Sequence, residues 1–146
     1  FIASLIEFAT PCSPRKNILF VNLKDQNKIE KNIKKVLSTG CTVTFTALQI
    51  AAYLNPKNIG IVGVDHSFEV KKGPQVQKFK GDDINHFSKD YFKNQYWGLP
   101  DLKGSEKLYQ ISKEYFDSIQ VPIIDYTNNG KLEVFNKGNI QEIIKN

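Results

Sequence analysis

The chain has 146 residues, of which 40% are hydrophobic, which is enough for one domain with a buried core. Its formal net charge is +5, but Arg15 is the only arginine among 20 basic residues, and arginine is the usual side chain for reading base edges. We therefore expect a lysine-covered surface that attracts small anions such as nucleotides, and no nucleic-acid partner.

Signals of location and redox state are few. No apolar run approaches the roughly 20 residues that cross a bilayer, and the start of the chain lacks the basic residues of a secretory signal, so we expect a soluble, cytoplasmic protein without a membrane span. Cys12 and Cys41 are too few for a disulfide framework, which predicts reduced thiols. Because the chain begins at Phe1 and contains no methionine, we expect it to be the carboxyl-terminal portion of a larger protein.

The first elements predicted are a strand and a helix. Residues 2–8 predict a short strand or helical turn, and the apolar run at 17–23 predicts a strand. Apolar residues then recur at helical spacing among lysines, which predicts a helix that carries Ile29, Ile33, Val36 and Leu37.

A helix, a short link and a buried strand follow. Thr42 can cap a helix whose predicted apolar face is Val43, Ala47, Ile50, Ala51 and Leu54. The link at 55–58 leads into a strand at 59–64, a connection typical of a parallel sheet. That strand ends at Asp65 and His66. Ligands of open α/β sheets bind at the carboxyl ends of the strands, so we expect the site there.

Residues 65–104 predict a long irregular segment that is rich in aromatic residues, which is typical of a lid-like insertion. Ser105 is then predicted to cap a helix with an apolar face of Leu108, Ile111, Tyr115, Phe116 and Ile119. A strand at 121–125, a turn at 128–130, a strand at 131–135 and a helix at 139–145 complete the chain. This order predicts an α/β fold, specifically one Rossmann-like three-layer domain over residues 1–146 with a mainly parallel sheet.

Asp65 and His66 are the first candidates for chemistry. A carboxylate and an imidazole at a strand end can act as acid, base, Mg²⁺ ligand or hydrogen-bond acceptor for a ribose. The alternative is structural, with Asp65 capping the next turn and His66 stacking on a neighbouring residue.

A second candidate is the polar loop at 81–87, which gathers Asp82, Asp83, Asn85 and His86. These residues could bind a divalent ion or supply a base, and a solvated turn is the alternative. His86 stands beside several aromatic residues, which favours a role in proton transfer within a partly apolar pocket.

The third candidate is the aromatic run at 91–97, which could stack a base or sugar ring near a lysine that contacts phosphate. Packing of a lid onto the domain explains the same run. The sequence contains no P-loop, G-x-G-x-x-G turn, G-x-S-x-G elbow or zinc-type cysteine pair. A glycine-rich phosphate turn would therefore have to lie before Phe1.

The segments at 42–54, 63–68, 85–87 together with 91–92, and 130–135 resemble the Rossmann-like domain of the 6-hydroxymethylpterin pyrophosphokinase-like family. The resemblance covers roughly residues 40–135. It implies an α/β transferase that handles nucleotides, in a family that includes archaeal pterin diphosphokinases using ATP and Mg²⁺ and bacterial proteins linked to surface-glycan or flagellin glycosylation. The same helix, link and strand end is similar to bacterial lipooligosaccharide sialyltransferases, which use CMP-sialic acid without a metal.

The resemblance implies roles for particular residues. Gly63 and Asp65 would line the nucleotide cleft. The other implied nucleotide-binding residues are Gly40, Thr42 and Ser67, the last standing where the sialyltransferases have a tyrosine. His86 would be the catalytic base, with Asp65 and His66 as further catalytic candidates. The implied substrate lid carries Asn85, Tyr91, Tyr96 and Trp97.

Together these observations predict a nucleotide-dependent transferase, foremost a sialyltransferase-like glycosyltransferase of surface-glycan synthesis that needs no cofactor. The alternatives are an ATP-dependent diphosphokinase with Mg²⁺ on Asp65, Asp82 or Asp83, and a nucleotide-binding fragment without turnover. The expected partners are a nucleotide or nucleotide-sugar donor, a glycan or pterin acceptor and a second copy of the chain in a homo-oligomer.

Overall fold

The computed structural model describes residues 2–4, 19–68, 76–78, 81–82, 88–90, 93–94 and 96–144. Within these ranges helices alternate with short strands, most of which pair in parallel, so the broad α/β prediction is confirmed. None of the helices in these ranges has the length and hydrophobicity that a bilayer crossing requires.

The amino-terminal part forms two small parallel pairs. Strand β1 (Ile2–Ser4) pairs with β2 (Leu19–Val21), and β3 (Leu23–Lys24) pairs with β4 (Leu37–Ser38). Of the strand or helical turn predicted within residues 2–8, the structure has the strand where it describes these residues, and the strand predicted over 17–23 is confirmed where it is described.

The helix predicted over Ile29, Ile33, Val36 and Leu37 is wrong, because a turn at 33–34 leads directly into β4. Side chains there take the backbone donors that a helix would use: Glu30 Oε1 accepts from Asn32 N–H, and Asn32 Oδ1 accepts from Lys34 N–H. Leu37 N–H donates to Asn22 O at 2.8 Å, as part of strand pairing. The spacing of the apolar residues does not show that polar side chains compete with a helix for these backbone N–H groups.

Helix α1 (Val43–Leu54) begins at its predicted cap, where Thr42 Oγ1 accepts from Thr44 N–H at 3.3 Å. Its predicted buried face is wrong, because Val43 is 83% exposed and Leu54 70% exposed. The residues that are buried instead are Phe45, Thr46, Leu48, Gln49 and Ala52. Small and apolar side chains lie all around this helix, so their spacing does not select one face.

Gln49 fixes the orientation of α1. Its fully buried amide accepts from Ser38 N–H at 2.9 Å through Oε1 and donates to Ser38 O at 2.8 Å through Nε2. Thr46 Oγ1 donates to the same carbonyl at 3.0 Å. The amide therefore hydrogen-bonds to the outer edge of β4 as a neighbouring strand would.

Strand β5 (Ile59–Ile61) follows the predicted link and is shorter than the predicted strand over 59–64, because Gly63 turns the chain with a φ of 79°. The segment at 65–104 is less irregular than predicted, since β6 (Val76–Lys78) and β7 (Tyr96–Gly98) pair antiparallel within it.

Helix α2 (Leu102–Ser118) begins earlier than predicted and its cap is Asp101, not Ser105. Asp101 Oδ1 accepts from Gly104 N–H at 2.8 Å, while the Asp101 carbonyl accepts from the Ser105 backbone and hydroxyl. The prediction of the apolar face is right for Leu108 and Phe116, which are buried, and wrong for Ile119, which is 40% exposed beyond the helix end.

The chain ends with β8 (Ile123–Asp125), β9 (Asn136–Lys137) and α3 (Ile140–Ile144), and the strand order β5-β8-β9 is parallel throughout. The predicted turn at 128–130 is confirmed, but the strand predicted over 131–135 is wrong. Leu132 and Phe135 are buried in the core, and this segment crosses the sheet end before pairing begins at Asn136.

The main core lies where α1 and α2 pack on this sheet. Its buried members include Leu48 from α1, Ile61 from β5, and Tyr109 and Phe116 from α2. Burial of one such large side chain contributes about 1.5–3 kcal/mol to folding. This core anchors the carboxyl end of β5 against the later turns of both helices.

Candidate functional site

A cleft of about 470 Å³ opens at the carboxyl end of β5. Its walls are the loop at 63–68 and residues near the starts of α1 and α2. Five of the predicted site residues line this cleft, namely Thr42, Gly63, Asp65, His66 and Ser67. Residues far apart in the chain therefore meet where the strand-end argument placed a ligand.

The loop after β5 has unusual backbone geometry. Gly63 has a φ of 79° and His66 a φ of 51°, both in the left-handed region. No heavy atom lies within 4 Å of the position that a Gly63 Cβ would take. The glycine therefore serves the turn itself and leaves open space at the cleft.

Hydrogen bonds from the segment after β8 hold this loop in place. Val64 N–H donates to Thr127 Oγ1 at 3.1 Å, and Lys131 N–H donates to Asp65 O at 2.8 Å. Both bonds use the backbone of the loop, so the exposed side chain of Asp65 stays available to a ligand. The crossing segment that replaces the predicted last strand is thus what positions Asp65.

His66 is held by α2. Its side chain is 7% exposed, and Nε2 lies 3.1 Å from Oε1 of Glu106, which is half exposed. The ring also meets Tyr109 edge to face, with centroids 6.3 Å apart. The ring therefore contacts a neighbouring residue, as the structural alternative predicted, but edge to face and not stacked. Its pairing with a carboxylate is the arrangement that orients a base.

Tyr109 connects the two helices beneath the cleft. It is 2% exposed, and its hydroxyl lies 3.2 Å from Thr42 Oγ1, so the cap of α1 and the second turn of α2 share a hydrogen bond. Sequence analysis missed Tyr109 and Glu106. The only signal for Tyr109 in the sequence is its helical spacing from Phe116 in the predicted apolar face. No local pattern indicates Glu106.

Both long helices begin at the cleft, which Thr44 lines near the start of α1 and Leu102 and Ser105 line near the start of α2. Neither helix has an acidic residue in its first turn. Helix amino termini carry partial positive charge and exposed N–H groups, which attract anions such as phosphate. Thr42 caps α1 without charge, whereas the Asp101 carboxylate caps α2, so the start of α1 attracts a negatively charged ligand in this cleft more strongly than the start of α2.

Cys41 also lines the cleft, and its Sγ lies 3.6 Å from Asp101 Oδ2. Partial burial raises the pKa of the Cys41 thiol, and the hydrogen bond to the Asp101 carboxylate and its negative charge raise the pKa further. The thiol therefore stays protonated and donates to Asp101. Cys41 is a free cysteine as predicted, whereas Cys12 lies outside the described residues.

Gly40 stands behind the cleft wall and does not line it. Its φ is 56°, and a side chain there would collide with Leu108 and Phe45. Gly40 therefore allows the turn before Thr42 to pack closely against α2.

The predicted lid is described only in part. Tyr96 is 71% exposed on β7, with Lys78 Nζ 5.8 Å from its ring centroid. Trp97 lies on β7, but its side chain is outside the described part, and so are Asn85, His86 and Tyr91. Their roles stay predictions.

The alternative Mg²⁺ ligands do not form a described site. Asp82 pairs with Lys93 at 3.0 Å, Asp65 lines the cleft, and Asp83 lies outside the described residues. Across the described ranges, no three side chains of His, Cys, Asp or Glu are grouped to hold a metal ion.

Comparison with known proteins identifies no family. A scan against protein-family models matches none of them. Searches of curated proteins and of solved structures return no significant match. The functional argument therefore depends on the cleft itself.

Proposed function

We propose that the cleft binds the phosphate groups of a nucleotide or nucleotide sugar. The observation that carries this proposal is the meeting of two helix amino termini, the Gly63 turn and the Asp65 carboxylate at one cleft. In this arrangement the phosphates lie against the first turns of α1 and α2, and Asp65 accepts hydrogen bonds from ribose hydroxyls. We also propose that the domain is Rossmann-like with three layers and that the donor binds at the carboxyl edge of its sheet.

The activity that we propose is nucleotide-dependent transfer, foremost of a sugar in the cytoplasmic steps of surface-glycan synthesis. An acceptor hydroxyl attacks the sugar carbon, the bond from that carbon to the phosphate oxygen breaks, and the nucleotide leaves with the electron pair. The positive helix termini favour the charge on the leaving phosphate. A base must take the proton of the acceptor.

Among the described residues, His66 is the imidazole at the cleft, and we assign it the role of base with Glu106 orienting its ring. His86, the other candidate base, lies outside the described residues. Substitution of each histidine by alanine separates the two assignments. If His66 is the base, His66→Ala loses about 100-fold or more in turnover and His86→Ala loses much less.

The proposed reaction is tested by incubating the chain with CMP-sialic acid and a galactose-terminated acceptor, with and without EDTA. We expect sialylated product in both cases. Transfer of diphosphate from ATP that EDTA abolishes would instead support the diphosphokinase alternative. Nucleotide binding without any product would support a non-catalytic binding role, and absence of nucleotide binding would refute the proposal as a whole.

A further inference from the structure

An ion pair with a buried carboxylate lies close to the loop that carries Asp65. Asp125, the last residue of β8, is fully buried, and its Oδ2 lies 2.6 Å from Nζ of Lys137 on β9. Removing one partner of such a pair is costly, because it leaves the other charge without compensation. The pair is therefore a fixed point, and two sets of hydrogen bonds lead from it to the loop after β5.

The first set of bonds passes through Thr127. Its backbone N–H donates to Asp125 Oδ1 at 2.9 Å in a buried environment. Its Oγ1 accepts from Val64 N–H at 3.1 Å, and the residue is only 8% exposed. The carboxylate therefore holds Thr127 where its hydroxyl meets the peptide group that precedes Val64.

The second set of bonds passes through the peptide group between Gly130 and Lys131. Lys137 Nζ donates to the Gly130 carbonyl at 3.2 Å, and the N–H of the same planar group donates to Asp65 O at 2.8 Å. Hydrogen bonds linked in series polarise and strengthen one another. Lys137 therefore supports the bond that holds the peptide group after Asp65.

The turn at 128–130 also packs closely on the loop. A Cβ atom at Gly130 would lie 2.9 Å from Thr127 Cγ2 and 3.2 Å from Val64 O, so this position leaves no room for a side chain. The two sets of bonds hold the backbone just before and just after the Asp65 Cα. They therefore fix the direction in which the Asp65 side chain leaves the loop.

We propose that Thr127 and Lys137 are positioning residues of the nucleotide site, which connect the buried Asp125 carboxylate to the backbone that carries Asp65. This inference rests on the proposed function, since it requires that Asp65 binds the ribose of a nucleotide. Neither Thr127 nor Lys137 lines the cleft, so each acts on the ligand only through the loop.

The test is calorimetric titration of CMP into the wild-type chain, Thr127→Val, Asp65→Asn and the double variant. Valine keeps the shape of threonine but removes the acceptor of the Val64 N–H. We expect Thr127→Val to weaken CMP binding about fivefold in the wild-type background and less than about twofold in the Asp65→Asn background, where no carboxylate is left to position. Thr127→Ser keeps the hydroxyl and should bind CMP within about twofold of the wild type.

Thr46→Val is the matched control. Thr46 is buried to the same degree, at 7% exposed, and its hydroxyl donates to Ser38 O at 3.0 Å without lining the cleft. This variant should lose stability in thermal unfolding, as Thr127→Val does, and still bind CMP like the wild type. Loss of stability alone would then not account for weaker binding in Thr127→Val.

Lys137→Met is the second variant should Thr127→Val not fold, and its loss of affinity should likewise disappear in the Asp65→Asn background. A wild-type chain that binds CMP while a folded Thr127→Val binds it equally well would overturn this inference and leave the proposed function in place. Losses that add in full in the double variant would overturn it in the same way. A wild-type chain that binds no nucleotide would refute both.

Discussion

The imidazole of His66 and the carboxylate of Glu106 lie 3.1 Å apart and join the loop after β5 to the first turns of α2. His66 needs a left-handed backbone to reach this position, with a φ of 51°. Non-glycine residues adopt this conformation rarely, and surrounding contacts must hold it. The pair therefore ties the shape of the loop to the cleft that we propose as the nucleotide site.

We expect Glu106→Gln to lower turnover about tenfold with little change in stability, because glutamine keeps a hydrogen bond to His66 but removes the charge that supports a protonated base. Steady-state kinetics of the transfer reaction measures this effect. Glu114→Gln is the control, since Glu114 is exposed on the same helix and bonds to Gln110. Equal turnover in the two variants would remove Glu106 from the mechanism.

Asp65→Asn should weaken nucleotide binding about tenfold, because an amide is a poorer acceptor for the ribose hydroxyls than a carboxylate. The free energy of unfolding should change little, since the Asp65 side chain is exposed and the described bond to this residue uses its backbone carbonyl. Calorimetric titration measures the affinity, and thermal unfolding measures the stability. Unchanged affinity would show that the ribose does not contact this carboxylate.

Gln49→Leu should destabilise the fold by about 2–4 kcal/mol, because the backbone N–H and C=O of buried Ser38 both lose a hydrogen-bond partner. Urea unfolding followed by circular dichroism gives the difference in free energy. Gln110→Leu, on the exposed side of α2, should change the free energy by less than about 0.5 kcal/mol. A similar small change for Gln49→Leu would mean that its amide does not support β4.

Lys137→Met tests the ion pair of Asp125, a fully buried carboxylate 2.6 Å from Lys137 Nζ. Burial by itself would raise the pKa of Asp125, but hydrogen bonds from Lys137 and Thr127 outweigh it and hold the pKa below its ordinary value of 3.8. Because the folded pKa is the lower one, this stabilisation is present above pH 3.8 and disappears as the pH falls through the folded value.

We therefore expect Lys137→Met to lose about 1–3 kcal/mol of stability at neutral pH, and the difference from the wild type to shrink as acid protonates Asp125. Thermal unfolding across a pH series measures both quantities. A difference that does not depend on pH below the ordinary pKa of aspartate would contradict the assignment of the ion pair.

The sequence could predict elements whose signals are local. Thr42 as a helix cap, the link at 55–58 and the polar end of β5 all follow from capping, spacing and hydrophobic runs, and these features locate the cleft. The broad α/β class follows from the same signals.

Other features depend on tertiary contacts that no local pattern reveals. The pairing of His66 with Glu106 spans 40 residues, and the bonds from Gln49 to Ser38 decide which face of α1 is buried. The segment at 131–135 alternates like a strand, but its apolar side chains fill the core while its backbone holds Asp65. In each case the partner that decides the structure lies elsewhere in the chain, so no local pattern shows it.

The central claim is that two helix amino termini and the loop after β5 form a site for phosphate. Calorimetric titration of the wild-type chain with CMP and, separately, with cytidine tests it most directly, because the two ligands differ only in the phosphate. Our account predicts that CMP binds at least about tenfold more tightly than cytidine. Equal affinities for the two ligands, or no binding of CMP, UMP, AMP or GMP, would contradict it.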